Sequence, residues 1–146
     1  TLIWVAPGVP FNMSYVEVDI EGRYILVQGK LDGKEVILVN SYGPNIDDEE
    51  FYPRVQSLFV SDTGCPLIWT GDYNCVLDGR RDRSPAKQNT KSRMTKMLEE
   101  VVRNLDLCDI WRSMHPERME YTCYSATHNT HSRQDIHITV HFGQYY

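Results

Sequence analysis

Two polar residues, Asp72 and Asn74, directly follow an apolar run, and their side chains are suited to phosphate chemistry. The run, residues 66–69, predicts a short buried strand, and Gly71 allows the backbone to turn sharply at its end. A carboxylate can hold a metal ion or accept a proton from water, and an amide can donate a hydrogen bond to a phosphate oxygen. Because Asp and Asn also favour ordinary turns, a purely structural role is the alternative interpretation.

A second polar side chain, Tyr42, follows another predicted strand. Residues 34–41 are rich in Val, Ile and Leu, which is typical of a central strand buried on both faces. The acidic residues 48–50 and the apolar residues that follow at helical spacing then predict a helix. If the strands on either side of this helix run parallel, Tyr42 and Asp72 lie at the same edge of the sheet.

The N-terminal part of the chain predicts a three-stranded antiparallel meander. Residues 15–20 and 23–31 alternate polar and apolar side chains, and Asp32-Gly33 predicts a tight hairpin into residues 34–41. Residues 1–13 contain Pro and Gly, and we expect no regular element there.

The C-terminal half predicts a polar loop, a helix and a long hairpin. The loop covers residues 78–93, and an apolar stripe predicts a helix over about residues 90–105. Strands are predicted at residues 121–124 and 132–140, with a long polar tip at residues 125–131 between them.

Composition narrows the class of protein. The 146 residues suit one domain, and the formal net charge of −5 argues against a broadly basic nucleic-acid-binding surface. That charge is compatible with a metal-dependent nuclease, whose carboxylates are offset by the bound cation. The four cysteines have no zinc-like spacing and predict reduced thiols in an intracellular protein, nuclear or cytoplasmic. No apolar run is long enough to span a membrane.

With these elements in place, the chain resembles the endonuclease/exonuclease/phosphatase superfamily. Within it, the chain is most similar to the apurinic-type endonuclease domains of non-LTR retrotransposons. Four motifs carry the resemblance in the family's order, at residues 40–44, 71–74, 121–125 and 132–135. The resemblance implies an α/β fold, a two-sheet β-sandwich flanked by helices (the deoxyribonuclease-like four-layer fold), here incomplete. The whole chain, residues 1–146, is then a single partial domain of this kind.

The resemblance also implies catalytic roles for four residues. Asp72 matches the family's aspartate that orients or deprotonates the attacking water, and it is the expected ligand of a Mg²⁺ cofactor. Asn74 and Tyr42 match groups that hydrogen-bond the scissile phosphate. Asp135 matches the aspartate that orients a catalytic histidine.

A second set of residues is expected to contact DNA. Thr122 matches a hydroxyl residue near the DNA backbone, and Asn45 is a candidate backbone contact. Basic residues of the 78–93 loop are candidates for phosphate contacts, and the hairpin tip lies where related nucleases insert a loop into a DNA groove. A solvated face and a plain surface loop explain these two features about as well. The residues concerned are Arg80, Arg81, Arg83, His128 and His131.

Two elements of the family pattern have no match in this chain. The metal-binding glutamate expected before Tyr15 is missing, and so is the Ser-Asp-His motif expected after Asp135. If the chain is truncated, Mg²⁺ binding is expected to be weak or absent. The missing outer strands would also leave sheet edges exposed, which favours self-association.

Three functions therefore compete. The first is Mg²⁺-dependent nicking of DNA that leaves a 3′-hydroxyl. The second is a catalytically dead retrotransposon-derived fragment that acts as a nucleic-acid-binding or structural module. The third is a phosphatase of the same superfamily, which the retrotransposon-like segments between the motifs argue against.

Overall fold

The computed structural model describes residues 1–59, 64–86 and 91–140. The end of the predicted basic loop, residues 87–90, lies outside these ranges, as do residues 60–63 and 141–146. The elements are the strands β1 (Phe11–Val18), β2 (Tyr24–Leu31), β3 (Lys34–Tyr42), β4 (Leu67–Asp72), β5 (Arg83–Ser84), β6 (Leu107–Asp109), β7 (Cys123–Ser125), β8 (Thr130–Ser132) and β9 (Asp135–Val140), and the helices α1 (Phe51–Ser57), α2 (Arg93–Asn104) and α3 (Ile110–Met114).

A six-stranded sheet forms the larger part of the molecule, in the order β1-β2-β3-β4-β9-β6. The first three strands form the predicted antiparallel meander. Strands β3 and β4 pair in parallel across the α1 connection, which is the condition under which Tyr42 and Asp72 share one edge of the sheet. The α/β class is thus confirmed, with a second sheet of three strands in the order β5-β8-β7.

One apolar core joins alternate residues of the large sheet to α1 and α2. Trp69, Ile136 and Ile138 are fully buried, as are Tyr52 of α1 and Leu98 of α2. Side chains alternate between the faces of a strand, so this alternation places one face of the sheet against the helices. The polar residues at the intervening positions therefore lie on the opposite face.

Three element predictions need correction. The predicted strand 132–140 is two strands: β8 belongs to the small sheet and β9 to the large one. Arg133, between them, is only 3% exposed and ion-paired, and its anchored side chain forces the chain to change sheets. We expected no regular element in residues 1–13, but β1 begins at Phe11. Phe11 directly follows Pro10 and pairs with Leu31 of β2. The 78–93 loop also contains the short strand β5, paired with β8.

The composition predicted reduced cysteines and no membrane-spanning segment. The four cysteines are free thiols, as expected. Of the helices that the structure describes, none has the length and apolar character needed to cross a membrane.

Candidate active site

The strand register brings three of the predicted catalytic residues into one row. Tyr42 of β3 is the partner of Asp72 of β4, and Asp72 is the partner of Asp135 of β9. Partnered residues in neighbouring strands project to the same face of a sheet. A phenol and two carboxylates therefore lie side by side where three central strands end or begin.

Asn74 and Asn45 extend this row through direct hydrogen bonds. The Asn74 side-chain amide donates to the Gly43 carbonyl at 2.7 Å and to Asn45 Oδ1 at 2.8 Å. The Tyr42 hydroxyl donates to the same Asn45 oxygen at 3.3 Å. Asn45 therefore connects two groups expected to bind a phosphate, and both amide hydrogens of Asn74 have partners within the protein.

The backbone at the end of β4 adopts conformations that explain its sequence. Gly71 has a φ of +143°, and a Cβ atom there would lie 1.9 Å from the Ser41 carbonyl oxygen. Only glycine fits so close to the neighbouring strand. Asn74 has a φ of +47°, in the left-handed region that Asn tolerates better than most residues, and its N–H donates to Asp72 Oδ1 at 2.9 Å. This local bond orients the Asp72 carboxylate.

Thr122 holds the start of β9 from the side of the small sheet. Its hydroxyl oxygen accepts hydrogen bonds from the backbone N–H groups of Gln134 and Asp135, both at 3.1 Å. Thr122 thus lies beside the site, and its hydroxyl is engaged with the backbone that presents Asp135.

A buried ion-pair cluster includes Arg133, two positions before Asp135 in the chain. The Asp82 carboxylate accepts hydrogen bonds from Arg133 at 2.9 and 3.1 Å and also pairs with Arg112, and Arg133 reaches Asp109 at 2.5 Å. Burial acts to raise the pKa of Asp82, but the hydrogen bonds and charges of the two arginines outweigh it and hold that pKa below its usual value. We call these four residues the Asp82 cluster.

The three arginines predicted to contact phosphates differ in whether their side chains are already paired within the protein. Arg81 is ion-paired with Asp78 at 3.4 Å and with Glu117 at 3.9 Å, so its charge is largely neutralised. Arg80 is exposed, and among the described residues its side chain has no ion pair. Arg83 is half-buried in β5, and its Nε atom is buried without a hydrogen-bond partner in the described part of the chain.

The hairpin tip carries His128 and His131, both exposed. The His131 ring lies 4.7 Å from the Tyr124 ring and 5.9 Å from the Tyr121 ring, between centroids. These residues belong to the small sheet and its loops, and neither histidine has a hydrogen bond to a residue of the row among the described contacts.

Asp72 and Asp135 are the oxygen donors available to a metal ion at this site. Mg²⁺ usually keeps several waters and uses one or two protein carboxylates together with substrate phosphates. The pair fits that minimal set. In the described ranges no group of three or more His, Cys, Asp or Glu residues is arranged to hold a metal.

Several residues around the site were not predicted from the sequence. Tyr52 lies in the predicted helix but outside the residues whose spacing indicated it, and Asp82 lies in the predicted polar loop. Arg133 lies inside a recognised motif, but an arginine in a strand pattern gives no sign that it is buried. Tyr52 and Asp82 give no local signal, because their partners are distant in sequence.

Comparison with known proteins agrees with the predicted resemblance. No family model matches the chain. One curated relative, the Transposon TX1 uncharacterized 149 kDa protein of Xenopus laevis, is 29% identical over 155 residues, which covers 96% of this chain and 12% of the relative. The chain therefore corresponds to a small part of that protein.

Solved structures of two AP endonucleases and an exonuclease share the fold. An AP endonuclease from Archaeoglobus fulgidus superposes with a TM-score of 0.67 at 18% identity, over 89% of this chain and 59% of that one. The AP endonuclease LMAP from Leishmania major gives 0.61 at 20% identity, over 84% and 47%. A 3'-5' exonuclease from Neisseria meningitidis gives 0.57 at 20% identity, over 91% and 58%. The chain spans about half the length of these structures.

Proposed function

We propose that this chain, which has the fold of the AP endonucleases and resembles a transposon-encoded protein, hydrolyses a phosphodiester of DNA with Mg²⁺ as cofactor. The observation that carries the proposal is the alignment of Tyr42, Asp72 and Asp135 on three adjacent strands, with Asn74 hydrogen-bonded alongside. Two carboxylates, an amide and a phenol that converge at one sheet edge supply a proton acceptor and hydrogen-bond donors for a phosphate.

Each group has a role in nicking one strand. Asp72 orients a water molecule and accepts its proton while the water oxygen forms the new bond to phosphorus. The bond from phosphorus to the 3′ oxygen breaks, and that oxygen gains a proton, which leaves a 3′-hydroxyl and a 5′-phosphate. Tyr42 and Asn74 donate to the phosphate oxygens, where negative charge builds.

Phosphate binding requires one exchange of partners. Both amide hydrogens of Asn74 are engaged in the free protein, one of them by the exposed side chain of Asn45. A phosphate oxygen that replaces Asn45 as the acceptor keeps Asn74 fully hydrogen-bonded. Mg²⁺ bound through Asp72 and Asp135 would supply positive charge to the phosphate and lower the pKa of a bound water.

Nicking of supercoiled plasmid in Mg²⁺ tests the proposal. We expect Asp72→Asn to lower the nicking rate by roughly 10²–10⁴-fold, because it removes the proton acceptor but keeps the shape. Asp48→Asn is the matched control, since Asp48 is an acidic residue whose ion pair with Arg54 at 3.7 Å lies outside the site. Equal nicking by wild type and Asp72→Asn would refute the proposal.

A second candidate is DNA binding without cleavage. It is favoured by the exposed side chain of Arg80, which has no ion pair among the described residues and can contact a phosphate. It predicts salt-dependent binding to duplex DNA, measured by fluorescence anisotropy, with no nicking at any Mg²⁺ concentration.

A further inference from the structure

The side chain of Tyr52 reaches from α1 to the underside of the loop that carries Asp72 and Asn74. Its hydroxyl donates to the Tyr73 carbonyl at 2.5 Å, and the two rings stack with centroids 5.6 Å apart and planes 20° apart. Both side chains are fully buried. Tyr52 therefore contacts the loop from inside the core and touches no substrate.

The hydroxyl of Tyr52 holds one side of a particular peptide unit. The Tyr73 carbonyl belongs to the peptide that contains the Asn74 N–H, and that N–H donates to Asp72 Oδ1 at 2.9 Å. In a planar trans peptide the C=O and N–H groups point in opposite directions. The two hydrogen bonds together therefore fix the orientation of this peptide plane, and a rotation would break both.

The conformation at Asn74 needs such support. Its φ of +47° is unfavourable for a residue with a Cβ atom, and a rotation of the preceding peptide is one way to relieve it. The surroundings are also tightly packed. A Cβ atom added at Gly43 would lie 2.3 Å from the Tyr73 carbonyl oxygen and 2.7 Å from the Tyr52 hydroxyl.

We propose that Tyr52 is a positioning residue, whose hydroxyl orients the Tyr73–Asn74 peptide and thereby aims the Asp72 carboxylate and the Asn74 amide at the phosphate. The proposal rests on the function proposed above. It assigns to a core residue of α1 the task of keeping two site groups aligned before substrate binds.

The chain offers a matched pair of variants. Tyr52→Phe removes the hydroxyl that holds the site peptide. Thr139→Val removes a second buried hydroxyl, which donates to the Leu67 carbonyl at 2.7 Å, away from the loop that carries Asp72 and Asn74. Each variant loses one buried hydroxyl-to-carbonyl bond, and Tyr52→Phe also loses the hydrogen bond between its hydroxyl and the Cys75 thiol. We therefore expect falls in melting temperature of similar size, slightly larger for Tyr52→Phe. Only Tyr52→Phe should disturb the site.

Two measurements distinguish the variants. In ¹⁵N-resolved NMR spectra, we expect Tyr52→Phe to shift the Asn74 amide resonance and to speed its hydrogen exchange by roughly tenfold or more, as the fixed peptide becomes mobile. Thr139→Val should leave both close to wild type. In plasmid nicking, Tyr52→Phe should lower kcat by roughly tenfold to a hundredfold with KM within about twofold, and Thr139→Val should change neither.

The proposal would be overturned if Tyr52→Phe left the resonance and the exchange rate of the Asn74 amide unchanged. It would also be overturned if the two variants changed these quantities equally. The two proposals fail separately. If the wild-type protein does not nick DNA, the proposed function fails, whereas the amide measurement still decides whether Tyr52 orients the peptide.

Discussion

The two sheets of this protein are stabilised in different ways. The large sheet contributes fully buried apolar side chains to the core, with Trp69 and Ile138 among them. None of the described residues of the three-stranded sheet belongs to that core. The small sheet is instead joined to the large one through the Asp82 cluster, in which Asp82 and Arg133 flank β5 and β8, and Asp109 and Arg112 lie on β6 and α3.

This difference divides the candidate site into two halves. Tyr42, Asp72 and Asn74 are presented by strands and loops packed on the apolar core. Asp135 follows directly on the Asp82 cluster, and Thr122 of the adjoining segment holds its backbone. Hydrophobic packing depends little on pH, whereas a buried ion pair depends on the charge of each partner. The stability of the half that carries Asp135 should therefore fall in acid and on substitutions that remove a charge from the Asp82 cluster.

The largest expected effect comes from breaking the Asp82 cluster. Asp82→Asn keeps the shape of the side chain but leaves Arg133 and Arg112 buried with only part of their counter-charge. Removing one partner of a buried ion pair typically costs about 3–5 kcal/mol. We expect a loss of that size in the free energy of unfolding, measured by urea denaturation at pH 7.

The control for this variant is Asp48→Asn, which removes the same charge from an ion pair near the surface. Its Arg54 partner is 54% exposed, so we expect a loss below about 1 kcal/mol. Comparable losses in the two variants would mean that the Asp82 cluster contributes no more than a surface pair, and the distinction between the sheets would fail.

A smaller effect is expected from mild acid. The pKa of Asp82 in the folded protein is below its ordinary value of 3.8, so its contribution to stability is complete above pH 3.8 and is lost as the pH falls through the folded value. Hydrogen exchange followed as the pH is lowered below 3.8 should therefore show backbone amides of β7 and β8 losing protection before those of β3 and β4. Simultaneous loss in both sheets would contradict the comparison.

The half of the site on the apolar core could be predicted from the sequence. Apolar runs predicted the strands that end at Tyr42 and Asp72, and the helix between them is compatible with the parallel pairing that the structure shows. Strand periodicity and turn residues are local properties, and they located both candidate site residues at strand ends, while the parallel pairing brings those ends to one edge.

The other half could be predicted only in part. The strand pattern at residues 132–140 gave no indication that the chain changes sheets at Arg133, because that change depends on a contact with Asp82, 51 positions away. Likewise, nothing local distinguishes Tyr52 from Phe51 beside it on α1. The contacts that orient the site residues are long-range, and a single sequence does not reveal them.

The smallest expected effect tests how Thr122 holds Asp135. Thr122→Val preserves the shape of the side chain but removes the oxygen that accepts the N–H groups of Gln134 and Asp135. Thr122 is exposed, so water can replace the lost acceptor, and we expect a fall of about 1 kcal/mol in the free energy of unfolding. The Asp135 amide should exchange faster, whereas the Asn74 amide on the other half should be unaffected. Thr122→Ser retains the hydroxyl and should match wild type in both measurements; a Ser variant as perturbed as the Val variant would show that the hydroxyl is not what holds Asp135.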